Sequence, residues 1–173
     1  QPGPIWGHGG YVAPDWSADW LHRQLTAQLD HWASAEFSAK SFEELPAEQR
    51  ALLQGRLQER MRKNTYDPGT ATITVDADRA AAIAATSKHY ESLFGSDPAS
   101  AELRDAYAMR NDTVPDPEHR RVLSAFFWWT AWAATTDRPG STITYTNNWP
   151  NEPLNGNRPP PSTFLWSAFS VTL

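Results

Sequence analysis

Apolar side chains return every three or four residues after Pro14, at Trp20, Leu21, Leu25, Leu29, Trp32 and Phe37. This spacing predicts a helix capped by Asp15 or Ser17. A second helix is expected to begin near Pro46, a residue suited to a first helical position. It should continue through Leu52, Leu53, Leu57 and Met61 until Asp67-Pro68-Gly69 supplies turn chemistry. Thr70 to Val75 alternates β-branched residues and reads as a short strand. Asp76 then caps an alanine-rich helix that reaches Phe94 and stops at Gly95. A shorter helix fits Ala99 to Met109.

Asp116 before Pro117 marks another helix start, leading into Val122, Leu123, Phe126, Phe127, Trp128, Trp129 and Trp132. Here apolar residues surround the axis, so the helix is expected either to be buried on most sides or to lie against a membrane. Ala125 to Ala134 is too short to span a bilayer. Asp137-Arg138-Pro139-Gly140 makes a turn, Thr142 to Thr146 has strand composition, and Asn147 to Pro161 reads as an irregular loop. Phe164 to Leu173 is apolar again. One reading is the start of a membrane helix, and the other is an ordinary buried C-terminal element, which length alone favours.

At 173 residues the chain suits one core. Nine tryptophans give it more large apolar surface than most soluble domains carry, so much of that surface must be buried or docked. A net charge of -5 with scattered basic residues argues against a nucleic-acid partner. The one dense basic stretch, Arg56, Arg60, Arg62 and Lys63, reads as a solvated helix face. With no cysteine, the chain has no disulfide, thiolate nucleophile, Cys-ligated zinc or thioether-linked haem.

Chemistry is otherwise sparse. His8, His22, His31, His89 and His119 include no pair at metal-ligand spacing; His22 and His31 share a helix but are half a turn out of phase. No triad or nucleophile elbow occurs, which leaves a small hydrolase without its machinery. Gly7-His8-Gly9-Gly10 neither follows a strand nor opens a helix, so it fails as a dinucleotide loop.

Two long irregular segments carry more information: residues 3–16 (GPIWGHGGYVAPDW) and 142–157 (TITYTNNWPNEPLNGN). Both resemble signatures of single-chain, quinol-dependent nitric oxide reductases, and the Phe126 to Ala134 stretch followed by Arg138-Pro139-Gly140 fits the same family. The resemblance implies a bacterial membrane enzyme that reduces nitric oxide to nitrous oxide with electrons from a quinol. It also implies a catalytic bundle carrying haem b, haem b3 and non-haem iron, outside this chain.

Gly7 to Asp15 is similar to a segment that follows the haem-attachment motif of the related cytochrome subunit. Aligned this way, Pro2 and Gly3 stand where that subunit has its last Cys and axial His. The fold so implied is mainly α: a cytochrome-c-like helical domain without haem, with inserted helices and a short β-hairpin. Tryptophan and phenylalanine are expected to fill the vacated volume, because interiors keep their packing density.

Residues 1–163 are thus expected to form a haem-less domain on the extracytoplasmic, periplasmic face of the inner membrane, with 164–173 beginning a membrane helix. Its expected role is structural, docked over the enzyme's own membrane bundle with no redox centre, and inactive alone. Gly9 and Tyr11 match positions whose backbone groups help bind calcium in the two-subunit enzyme. The alternative is that Gly9 and Gly10 only make a tight turn, and His8 departs from the glutamate of that pattern. Asn147, Asn148, Trp149, Glu152 and Asn157 are the expected docking residues, a polar loop around a central tryptophan. The rival from another class is a secreted, Trp-rich carbohydrate-binding module; such modules are usually β-sandwiches, and the helical pattern counts against it.

Overall fold

A computed structural model describes residues 14–172. Helix α1 spans Trp16–Phe37 and buries Trp16, Trp20, Leu21, Gln24, Leu25, Gln28, Leu29, Trp32 and Ala33, a stripe at helical spacing. Asp15 is its cap, accepting from Ser17 N (2.9 Å) and Ala18 N (3.3 Å), while Ser17 is a buried residue inside the helix. Helix α2 (Ala47–Arg62) turns Leu53, Leu57 and Met61 inward, with Pro46 at the cap position, one residue earlier than expected.

A two-stranded antiparallel hairpin follows, β1 (Tyr66–Asp67) with β2 (Thr72–Ile73). The expected strand over Thr70 to Val75 is therefore cut to two paired residues. Asp67 binds Gly69 N at 2.8 Å and Thr70 Oγ1 at 2.9 Å, so the turn belongs to this hairpin and does not end α2.

Helix α3 (Ala77–Phe94) is capped by Asp76, and α5 (Pro117–Thr135) by Asp116, both as the sequence predicts. Gly95 ends α3 for a steric reason: its φ is −94°, and an added Cβ would lie 2.9 Å from the Glu91 carbonyl oxygen. The helix expected over Ala99 to Met109 is a 3-10 turn, Pro98–Ser100, followed by α4 (Ala101–Ala106). Ala108, left-handed at φ 51°, stops it short. Thr142 to Thr146 does not form a strand; only an isolated bridge joins Asp137 to Thr144, because Asn147 and Asn148 take left-handed backbone and turn the chain away. The loop from Asn147 to Pro161 holds a 3-10 turn at Pro153–Asn155 and a bridge between Glu152 and Asn157. Helix α6 spans Pro161–Thr172.

The core is the meeting of α1, α3 and α5, each packed on the other two, with α2 laid against α1. At its centre Trp16 stacks on Phe127 (5.8 Å between centroids) and meets Tyr90, Phe94 and Tyr107 edge-on at 6.0, 5.5 and 5.8 Å. Trp20 stacks on Tyr90 at 4.9 Å. Five of these rings, Trp16, Trp20, Tyr90, Phe94 and Phe127, have essentially no exposure. Rings in offset or edge-on contact at these distances add to the energy of burial itself.

The basic stretch keeps Arg60 and Lys63 exposed, as expected of a solvated face, but its arginines are also engaged with neighbours. Arg56 and Arg60 each place a guanidinium 5.2 Å from the Trp32 ring centre, Arg56 also pairs with Glu36, and Arg62 is drawn into the Asn/Pro-rich loop. Trp32, reaching Asp78 through its indole N–H (3.0 Å), recruits those cations to its faces.

Tyr90 donates its hydroxyl proton to Asp19 at 2.6 Å, and burial raises its phenol well above the ordinary value of 10.0, reinforced by the Asp19 charge. The folded state therefore holds this proton more tightly than the unfolded state does, so the contribution is complete below the unfolded value and is lost as pH rises above it. Urea unfolding between pH 7 and 11 is expected to show stability falling from about pH 10. Tyr90→Phe should remove part of that slope; an identical slope in the variant would refute the assignment.

Candidate functional site

The segment from Asp137 to Asn157 is anchored at one end by groups it buries. Asn157, with no exposure, donates from Nδ2 to the Ala134 carbonyl at the end of α5 (2.8 Å). Its Oδ1 accepts from Asn155 (3.1 Å) and from Arg62 Nη2 (3.2 Å). Arg62 Nη1 reaches Asp137 at 2.8 Å, so one guanidinium ties both ends of the segment to α2. Glu152, also buried, meets His22 Nδ1 of α1 at 3.0 Å and accepts from Leu154 N at 3.0 Å. Gln54 and Gln58 of α2 donate to the carbonyls of Pro153 (2.8 Å) and Leu154 (3.3 Å). Gly156, at φ 68°, permits the turn between these anchors, and the Gln58 side chain crowds the place its Cβ would take.

The other end is a turn facing outward. Asn148 bridges back to Thr144, accepting at 3.1 Å from its N–H and donating its own backbone N–H to Thr144 Oγ1 at 2.8 Å. Asn147 is exposed and accepts from Arg138 Nη2 at 2.8 Å. Trp149 is half-buried, in a cis peptide bond with Pro150, and its indole N–H is enclosed without a partner among the described residues. The same segment carries part of a row of rings: Tyr145 stacks on Trp132 at 5.6 Å and Trp132 meets Tyr66 of β1 at 6.3 Å, with Tyr145 and Tyr66 both exposed. Asn64 holds Tyr145 in place through its hydroxyl at 3.0 Å.

The five residues expected at this loop thus divide. Asn147, Asn148 and Trp149 form its outer turn, whereas Glu152 and Asn157 point into the domain. His22, Gln54, Gln58 and Arg62 were not anticipated, since each depends on a partner 75 to 130 residues away, and neither was the ring row. Gly9 and Tyr11 lie outside the described residues, as do Pro2 and Gly3.

The described residues include no cluster of three or more His, Cys, Asp or Glu able to hold a metal ion. The helical core and its short hairpin do not support a sandwich-type carbohydrate module. A model of the NorB cytochrome c-like domain, a family of nitric oxide reductase domains, matches residues 1–151. The chain belongs to this family. No curated protein matches the chain.

A cytochrome c-like domain raises the question of a haem, and neither the cysteine-free sequence nor the described residues fit a covalently attached one. Covalent attachment needs cysteine, which the chain lacks. The centre of the three-helix core is occupied by rings in mutual contact. Of the described histidines, His22, His31 and His119 are open to solvent, and His89 sets its ring edge-on against Tyr90 at 5.2 Å. No helix among the described residues is long and apolar enough to cross a membrane.

Proposed function

We propose that this chain is the extracytoplasmic domain of a quinol-dependent, single-chain nitric oxide reductase, docked over the enzyme's own membrane bundle. On this reading the bundle holds haem b, haem b3 and non-haem iron, takes electrons from quinol and reduces nitric oxide to nitrous oxide. The domain has no redox centre and acts by covering the bundle and fixing its outer face. The observation that carries the reading is the core itself: in a family named for its likeness to cytochrome c, Trp16, Trp20, Tyr90, Phe94 and Phe127 fill the interior and no cysteine is present to tether a haem. Electron delivery through this domain has no carrier, which favours a membrane donor over a soluble cytochrome.

Asn147, Asn148 and Trp149 suit the contact itself, because they stand at the outer turn of a loop whose base is rigidly held. Glu152 and Asn157 set the position of that turn. On the same reading residues 164–173 are the opening turns of a membrane helix, with Leu165 exposed on α6. Gly9 and Tyr11 would offer backbone oxygens to calcium, completed by groups from the bundle.

The test is on the intact enzyme. Turnover is expected with a quinol and absent with reduced cytochrome c as sole donor; the reverse preference would overturn the quinol reading. Trp149→Ala should lower assembly or turnover by about tenfold or more, as the loss of a central interface tryptophan does. Unchanged assembly and turnover would remove the basis for docking through this loop.

A further inference from the structure

Where α2 ends, the hairpin returns and α3 begins, a pocket of about 430 Å³ is lined by Arg60, Lys63, Thr65, Thr74, Val75, Asp76 and Arg79. Its basic side chains outnumber its single acid, in a chain whose net charge is -5. Arg79 is only 4% exposed, yet its Nε and Nη2 have no hydrogen-bond partner among the described residues. Those two nitrogens form the side-on fork of the guanidinium, the edge that binds two oxygens of one anion at once. A buried cation left without partners is costly, and natural interiors pair such groups.

The acid in the wall is already engaged. Asp76 Oδ1 accepts from the Arg79 backbone N–H at 2.8 Å, and Oδ2 lies 3.4 Å from Arg60 Nη1. Lys63 is exposed and makes no ion pair among the described residues. Arg79 sits in the first turn of α3, where side chains lean back toward the helix start and the backbone dipole is positive. Burial lowers the Arg79 guanidinium to about 10, so it remains charged at neutral pH.

We propose that Arg79, Lys63 and Arg60 form an oxyanion site at the start of α3 that takes a phosphate group, with the Arg79 fork as the bidentate ligand and Lys63 as the mobile outer cation. Two sources share this chemistry, free phosphate and the headgroup of an anionic phospholipid. The fork is enclosed, so the wall must yield to admit the anion, and the affinity is modest.

The experiment is thermal unfolding of the purified chain, titrated with sodium phosphate against sodium chloride at matched ionic strength. A saturable rise is expected, roughly 3–5 °C when phosphate reaches ten times its Kd. Arg79→Gln should abolish it. Lys63→Gln, an exposed change that leaves the fold intact, should weaken the affinity severalfold. A rise that is linear in concentration and equal in Lys63→Gln is general salting-out, and sinks the site, as does a phosphate response no larger than that of chloride. Co-sedimentation with phosphatidylcholine vesicles doped with phosphatidylglycerol separates the sources. Binding that free phosphate reverses at the same midpoint identifies the headgroup, whereas a saturable thermal response without vesicle binding identifies the free anion.

Discussion

Trp16→Ala is expected to cost about 3–5 kcal/mol, which for a domain of this size lowers Tm by roughly 6–20 °C. The residue has no exposure and touches Tyr90, Phe94, Tyr107 and Phe127, one ring from each side, so its removal leaves a cavity that none of those rigid rings can collapse into. Its indole N–H is buried without a partner among the described residues. Trp16→Phe therefore gives up some volume but also removes an unsatisfied donor, and should cost less than about 2 kcal/mol. Urea unfolding of both variants checks the pair. Equal losses would mean that Trp16 does not hold the centre by packing, and the filled-core account of this cytochrome-like domain would fail with it.

The helices were legible because their determinants are local. Asp15, Asp76 and Asp116 each cap through an oxygen two or three residues from the N–H they satisfy, and a short window of sequence contains both partners. Strands were harder, since a strand exists only where a second segment pairs with it. Thr70 to Val75 and Thr142 to Thr146 have similar β-branched composition. The first finds Tyr66–Asp67 across a tight turn and keeps two residues. The second finds only the isolated bridge from Thr144 to Asp137, and Thr144 spends its hydroxyl and N–H on Asn148.

The site was half legible for a related reason. A stretch rich in Asn and Pro reads as solvent-facing, and for Asn147 that holds. Asn155 and Asn157 have the same composition signal and no exposure: Arg62 and the Ala134 carbonyl, remote in sequence, satisfy the Asn157 amide, and Asn155 donates to Asn157 in turn. Nothing near Asn157 in the chain announces those partners. Arg79 shows the same blindness from the other side: among scattered basic residues it looks solvated, and only its place on the inner face of α3 reveals a guanidinium whose Nε and Nη2 are enclosed without a partner among the described residues.

Asn157→Leu should destabilise the chain by about 2–4 kcal/mol despite keeping similar volume, because it strands two buried groups and weakens a third. The Ala134 carbonyl loses its donor at the end of α5, Asn155 Nδ2 loses its acceptor, and Arg62 Nη2 keeps only the Gly156 carbonyl at 3.4 Å. Arg62 also holds Asp137, so the Asn157 and Arg62 changes act on one network. A double-mutant cycle with Arg62→Met should give a coupling of about 0.5–3 kcal/mol. Additive losses would show that the two residues anchor the segment independently. The comparison with Trp149→Ala then separates holding from docking. Asn157→Leu is expected to lower the stability of the isolated chain and, through the displaced turn, the function of the intact enzyme. Trp149→Ala, on a half-buried ring beyond the anchors, should leave the isolated chain far more stable than Asn157→Leu does and still impair the whole enzyme.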